Sequence, residues 1–198
     1  MKKIKLFLIL LFVSLITIAC ANTDEDKTAV ANQKEVIYTS ALYKNYDDVK
    51  SLEDYSDLIV KGTVIGTTVD WIDASMDPDA TDDERSNPGG EVDRTKEIFT
   101  VHKVRVDNSY KGDIEKGDII EVKQFGGETE NTIMIDEDVT YLEEDKEYIL
   151  YLETYEDSPA TLLNPIQAYY RYDNGKIIKN PQNSLTLNID TLEKLEKK

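Results

Sequence analysis

The stretch Asp57 to Trp71 (DLIVKGTVIGTTVDW) restricts the fold more than any other part of the chain. Leu58, Val60, Gly62, Val64 and Gly66 fall on one parity and Ile59, Ile65 and Val69 on the other, the period of a long β-strand. Glycines at alternate positions inside a strand mark a bend, a bulge or a close backbone approach. A sheet that curls on itself needs such places. A strand this long also needs long partners.

The rest of the chain offers them. Glu97 to Asp107 predicts a second strand, with Phe99 and Val101 on one face and Val104 and Val106 on the other. That change of phase places a β-bulge at His102-Lys103. Asn108 to Asp113 and Glu115 to Asp118 read as turns, followed by strands over Ile119–Phe125 and Thr132–Ile135. Glu147 to Thr154 is nearly all apolar or aromatic, as in a central strand covered on both faces. Ile166 to Tyr172 and Lys176 to Lys179 flank Asn174-Gly175, a hairpin signal. Tyr46, Val49, Leu52 and Tyr55 recur every third residue, predicting a short helix ending near Ser56. Asp190 with Glu193 predicts a last short helix that turns Leu192 and Leu195 inward. The expected fold class is mainly β, an antiparallel sheet that closes or nearly closes, with one short helix at each end.

Composition narrows the function. The 198 residues carry 40 acids against 23 bases, with one Cys and one His. A disulfide framework and Cys- or His-based metal sites are excluded, which leaves oxygen ligands as the metal option. The acidity argues against nucleic acid as a partner.

Met1 to Lys5 is cationic, and Leu6 to Ile18 is a 13-residue apolar run. A membrane-spanning helix needs about 20 such residues, so the order of charge, apolar run and small residue is that of a secretory signal. Ile16-Thr17-Ile18-Ala19-Cys20 resembles the lipobox of bacterial lipoproteins, with Thr17 where Leu is usual. The resemblance implies a diacylglyceryl thioether on Cys20 and removal of residues 1–19. It places the protein outside the cytoplasm, held to the membrane by lipid and facing outward. Loss of those 19 residues removes Lys2, Lys3 and Lys5 and leaves 179 residues with 20 bases and 40 acids, a formal net charge of −20. Residues 20–36 then form the lipidated end and a flexible tether. Its mean reach is roughly 20–24 Å. Residues 37–198 form one domain.

DLIVKGTVIG, FTVHKVRVDNSYKGDIEKGD, EVKQFGG, YLEEDKEYILYL and YYRYDNGKI together resemble surface lipoproteins of Gram-positive bacteria. The bodies of those proteins are similar to OB-like barrels, which netrin-like domains also use. The resemblance implies an OB-like, partly closed barrel and carries no catalytic motif.

Residues 73–93 form an acidic loop with eight carboxylates against Arg85. Asp77, Asp79, Asp82 and Asp83 are candidate Ca²⁺ ligands, because a hard cation wants several converging carboxylate oxygens. The spacing fails the EF-hand pattern, with Asp82 at its sixth position and Pro88 at its twelfth. A solvated, self-repelling loop is the plainer expectation, with no cofactor bound. In OB barrels this loop often borders the ligand, and an acidic one repels phosphates. Tyr148, Tyr151, Tyr155, Tyr169, Tyr170 and Tyr172 gather in the C-terminal third. Tyr170 and Tyr172 share a strand parity and are candidates for a ligand platform. The plainer expectation is rings buried with hydroxyls in water. His102 has neither a second His nor a thiol near it in sequence and reads as structural or surface. The chain contains no G-x-S-x-G, Walker or H-E-x-x-H motif. The expected function is a non-catalytic, membrane-anchored binding or scaffolding module for a protein or envelope-polymer ligand. The alternatives are an envelope hydrolase using paired carboxylates and an inhibitor or immunity-type protein.

Overall fold

A computed structural model describes residues 34–73 and 96–195. The elements run β1 (Glu35–Thr39), α1 (Val49–Tyr55), β2 (Leu58–Asp73), β3 (Lys96–Lys111), β4 (Ile119–Phe125) and β5 (Gly127–Glu128). They continue with β6 (Thr132–Asp136), β7 (Glu147–Glu153), β8 (Ala160–Leu162), β9 (Tyr169–Asp173), β10 (Lys176–Lys179) and α2 (Ile189–Leu195). Among these residues no helix is long and apolar enough to cross a membrane.

β7, β2, β3, β4 and β8 are joined edge to edge, and β8 pairs back onto β7. The sheet therefore closes on itself in part. Numbered in chain order, these five strands neighbour one another as first, second, third, fifth, fourth and first again, the order of an OB barrel. The fold is mainly β, as expected, but not wholly antiparallel. β4 and β8 are parallel, Val122 opposite Ala160 and Lys123 opposite Thr161. Five strands around a ring cannot all alternate in direction, so one neighbouring pair must run the same way. The hairpin of β9 and β10 continues from β7 along Glu147–Leu150, turning at Asn174 and Gly175, both at positive φ.

The bulge lies where the phase change predicted it but on the other strand. Val64 faces Val104 and Gly66 faces Lys103, so Ile65 of β2 is the extra residue. β3 keeps one parity inward through the expected break, with Ile98, Thr100, His102, Val104 and Val106 all buried. Val101 is also buried although it points the other way, because something outside the ring covers it. Beyond Ile65 the parity of β2 reverses. Thr67 then lies opposite inward His102, while Thr68 and Asp70 share the outer face with Val101 and Phe99. β3 also runs to Lys111, through Asn108-Ser109-Tyr110, which the sequence reading took for a turn.

The core has two layers. Val60, Val64, Val104, Val106, Val122 and Leu150 are fully buried in the ring strands. On the opposite parity, Ile59 faces Tyr151 and Ile149 faces Tyr170, again fully buried. α1 packs on β7 and α2 on β3, and Leu52, Leu185, Leu187 and Leu192 join the same apolar cluster. Asp48 caps α1 by accepting from the Ser51 backbone N–H at 2.7 Å. At α2 the accepting side chain is Asn188, which takes the Asp190 N–H at 2.9 Å, two residues before the expected opener. Buried amides hold the irregular segments: the Gln167 side chain accepts from Tyr46 N (2.9 Å) and donates to Tyr46 O (3.1 Å).

Glu35 and Val36, expected in the tether, belong instead to β1. This strand pairs in parallel with β6 in a separate three-stranded sheet. Lys34 Nζ reinforces the start of β1, donating to Glu128 Oε1 at 2.7 Å and Thr129 O at 2.8 Å.

Candidate functional site

The outer face of β3 and β4 carries side chains that the core does not use. Phe99 pairs with Phe125, Val101 with Lys123 and Lys103 with Glu121. The two phenylalanine rings meet edge to face at 5.3 Å between centroids. Segment 154–159, between β7 and β8, folds toward this face. Lys123 Nζ lies 2.7 Å from Ser158 Oγ and donates to it. The same ammonium lies 4.8 Å from the Tyr155 ring centroid and 5.4 Å from that of Phe99. Burial lowers the Lys123 pKa, and the nearby Glu153 charge opposes that shift. Burial and Glu153 together push Tyr155 up to about 12. Thr154 N donates to Asp57 Oδ2 at 2.9 Å, which ties the start of the segment to the head of β2.

Two depressions flank the Lys123–Ser158 bond. The larger, about 680 Å³, is lined by residues that include Asp70, Trp71, Asp73, Lys96, Val101, Glu121, Asp157 and Ser158. Trp71, opposite inward Ile98 in β3, is 51 % exposed. The smaller, about 180 Å³, is lined by Lys123 and by apolar side chains that include Phe99, Phe125, Val139, Leu162 and Pro165. Tyr43 forms part of its wall and donates to Asp136 Oδ2 at 2.7 Å. Burial, then that bond, raise the Tyr43 pKa, so it stays a neutral donor. The face thus offers a broad hollow bearing carboxylates and a small apolar socket, separated by one lysine.

The residues singled out in sequence lie elsewhere. Tyr170 has no exposed surface, because its face of β9 continues the covered face of β7, so it offers no platform. Tyr148, Tyr151 and Tyr169 are buried as well. Tyr172 is partly exposed, beneath Lys61 Nζ at 4.7 Å, with no coplanar tyrosine beside it. The hydroxyls of Tyr151 and Tyr170 are buried, contrary to the expectation that they would reach water, and find no hydrogen-bond partner among the described residues. Cys20, Asp77, Asp79, Asp82 and Asp83 lie outside the described residues. Among the residues that are described, no group of three or more His, Cys, Asp or Glu could hold a metal ion. His102 is fully buried, with Nδ1 3.3 Å from Thr67 Oγ1.

Sequence reasoning noted Trp71, Phe99 and Phe125 only as strand residues and Tyr155 only as one of the clustered tyrosines, and it passed over Lys123 and Ser158. Alternation did put Phe99 with Val101 on one face. Nothing local says that Ser158 returns to β4. Comparison with family models, with curated proteins and with solved structures finds no match.

Proposed function

We propose that this chain is a lipid-tethered, extracytoplasmic binding module whose ligand lies on the outer face of β3 and β4. The observation that carries the reading is the pair of adjoining depressions around Lys123, bordered by the β7–β8 segment and by the far end of β2. In OB barrels the corresponding strands and loops hold the ligand. The lipobox-like leader supports placement outside the cytoplasm, on the resemblance alone.

Lys123 and Ser158 have the composition of a lysine–serine catalytic pair. Burial lowers the Lys123 pKa, but two aromatic rings within 6 Å of Nζ act in the opposite direction, and Nζ donates to Ser158 Oγ rather than accepting its proton. The contact is better suited to holding segment 154–159 in place, which supports binding over hydrolysis.

The test combines anchoring with contact. In cells, Cys20→Ser should shift the protein from the membrane fraction to the medium or leave uncut precursor. A photo-crosslinking residue at Thr68, on the outer face, should give a discrete adduct that the same residue at exposed Lys116 does not. Full processing with unchanged fractionation overturns the anchor. Identical adducts, or none from position 68, overturn the binding face.

A further inference from the structure

We infer that the two depressions recognise an extended peptide carrying a basic side chain two positions from an apolar one. This rests on the binding reading above and adds the ligand class. The larger hollow has carboxylates at Asp70, Glu121 and Asp157, with Asp73 opposite Lys96 at one end and Lys103 opposite Glu121. Thr68 Oγ1 donates to Asp70 Oδ2 at 2.9 Å and orients that carboxylate. A guanidinium or ammonium gains from Asp70, Glu121 and Asp157. A phosphate, or a polymer rich in carboxylates, would be repelled here. The smaller socket selects the opposite chemistry, with Phe99, Phe125, Val139, Leu162 and Pro165 around a volume that suits one aliphatic side chain.

The spacing between the hollows selects a peptide. Phe99 lines the socket and Val101 lines the hollow, and they stand two residues apart on one face of β3. Two residues of strand span about 7 Å, the same distance that separates alternate side chains of an extended peptide lying along β3. Lys123 stands between the two. Its ammonium has three donors, of which Ser158 takes one, so a ligand backbone carbonyl above it can accept another.

Trp71 is the only tryptophan in the chain and is the neighbour of Asp70 in β2, so its fluorescence follows changes beside the hollow. The experiment titrates the full chain with capped five-residue peptides and follows Trp71 fluorescence, with calorimetry in parallel. The first probe has leucine second and arginine fourth among glycines. The second replaces arginine with glutamate. The third sets leucine and arginine side by side. Saturable binding of the first peptide is expected, with the second and third at least about tenfold weaker, the sum of two partly exposed ion pairs or the loss of one subsite. Asp70→Asn with Glu121→Gln should weaken the first peptide about tenfold. Asp113→Asn with Glu130→Gln, exposed acids away from the face, should leave it unchanged. Equal losses in both double variants mean that a highly acidic protein attracts any cation, and the inference falls. It falls likewise if the glutamate peptide binds as tightly, if spacing has no effect, or if neither method detects binding. An adduct from position 68 alongside any of these failures leaves the binding reading standing and removes only the peptide. Unaltered melting temperatures certify that the four exposed substitutions leave the fold intact.

Discussion

His102 sits at 0 % exposure on the inward parity of β3, and its Nε2 finds no hydrogen-bond partner among the described residues. Burial pushes its pKa down to about 4. Gln124 offsets this only in part, because its oxygen already accepts from Leu142 N and its nitrogen donates to Thr140 O. The folded value is below the unfolded one near 6.5, so the unfolded chain binds the proton more tightly. The stability associated with a neutral His102 is therefore complete above about pH 6.5 and is lost as pH falls toward 4, by an amount of order 2–3 kcal/mol. Melting temperatures of wild type and His102→Leu at pH 7 and pH 5 should show a steeper acid loss in wild type. Equal slopes would mean that the imidazole finds a partner once charged. The sequence left this lone mid-strand histidine as structural or surface, and its burial decides for the first. That Lys123 would be the pivot of a site was not legible there: Ser158 and Tyr155 are more than thirty positions away, and only the ring closure brings them to β4.

At the level of elements, the alternation along Asp57–Trp71 and Glu97–Asp107 was enough to foresee two long strands and an offset between them, but not which strand carries the extra residue. The apparent change of phase in β3 came from Phe99 and Val101, apolar residues on the outer face, and the inward positions there are Thr100 and His102. The two strand glycines also separate. A Cβ on Gly62 would lie 2.6 Å from Val104 Cγ1 and 2.7 Å from Arg105 O, whereas one on Gly66 would meet nothing within 4 Å. Gly62→Ala should cost about 2 kcal/mol or more through overpacking. Gly66→Ala should be neutral or stabilise by up to about 1 kcal/mol, since it restricts the unfolded chain at a position with room. Chemical denaturation of both variants checks this, and the prediction fails if they respond alike. β1 escaped the sequence reading for a different reason. Its β-forming residues (EVIYT) follow a polar spacer, and its partner β6 is about a hundred residues away, so propensity had no visible neighbour to act on.

Across the whole molecule, the formal charge of −17 acts against compaction. Ion pairs such as Lys34–Glu128 and Arg171–Asp173 involve exposed groups and gain little each. Raising ionic strength from about 0.01 M to 0.15 M shortens the screening length from about 30 Å to about 8 Å. The melting temperature should rise by a few degrees over that range, as measured by calorimetry with a monovalent salt. A flat or falling response would mean that local pairing already cancels the repulsion. The barrel is also unevenly sewn. β2 and β3 hold together along fourteen opposed pairs, while β8 is stitched to β4 by two and to β7 by two. One of those stitches joins Lys123 to Thr161, beneath the lysine that divides the two hollows. Any loosening of that seam is felt first around Lys123 and Thr161, while the long strands stay clasped.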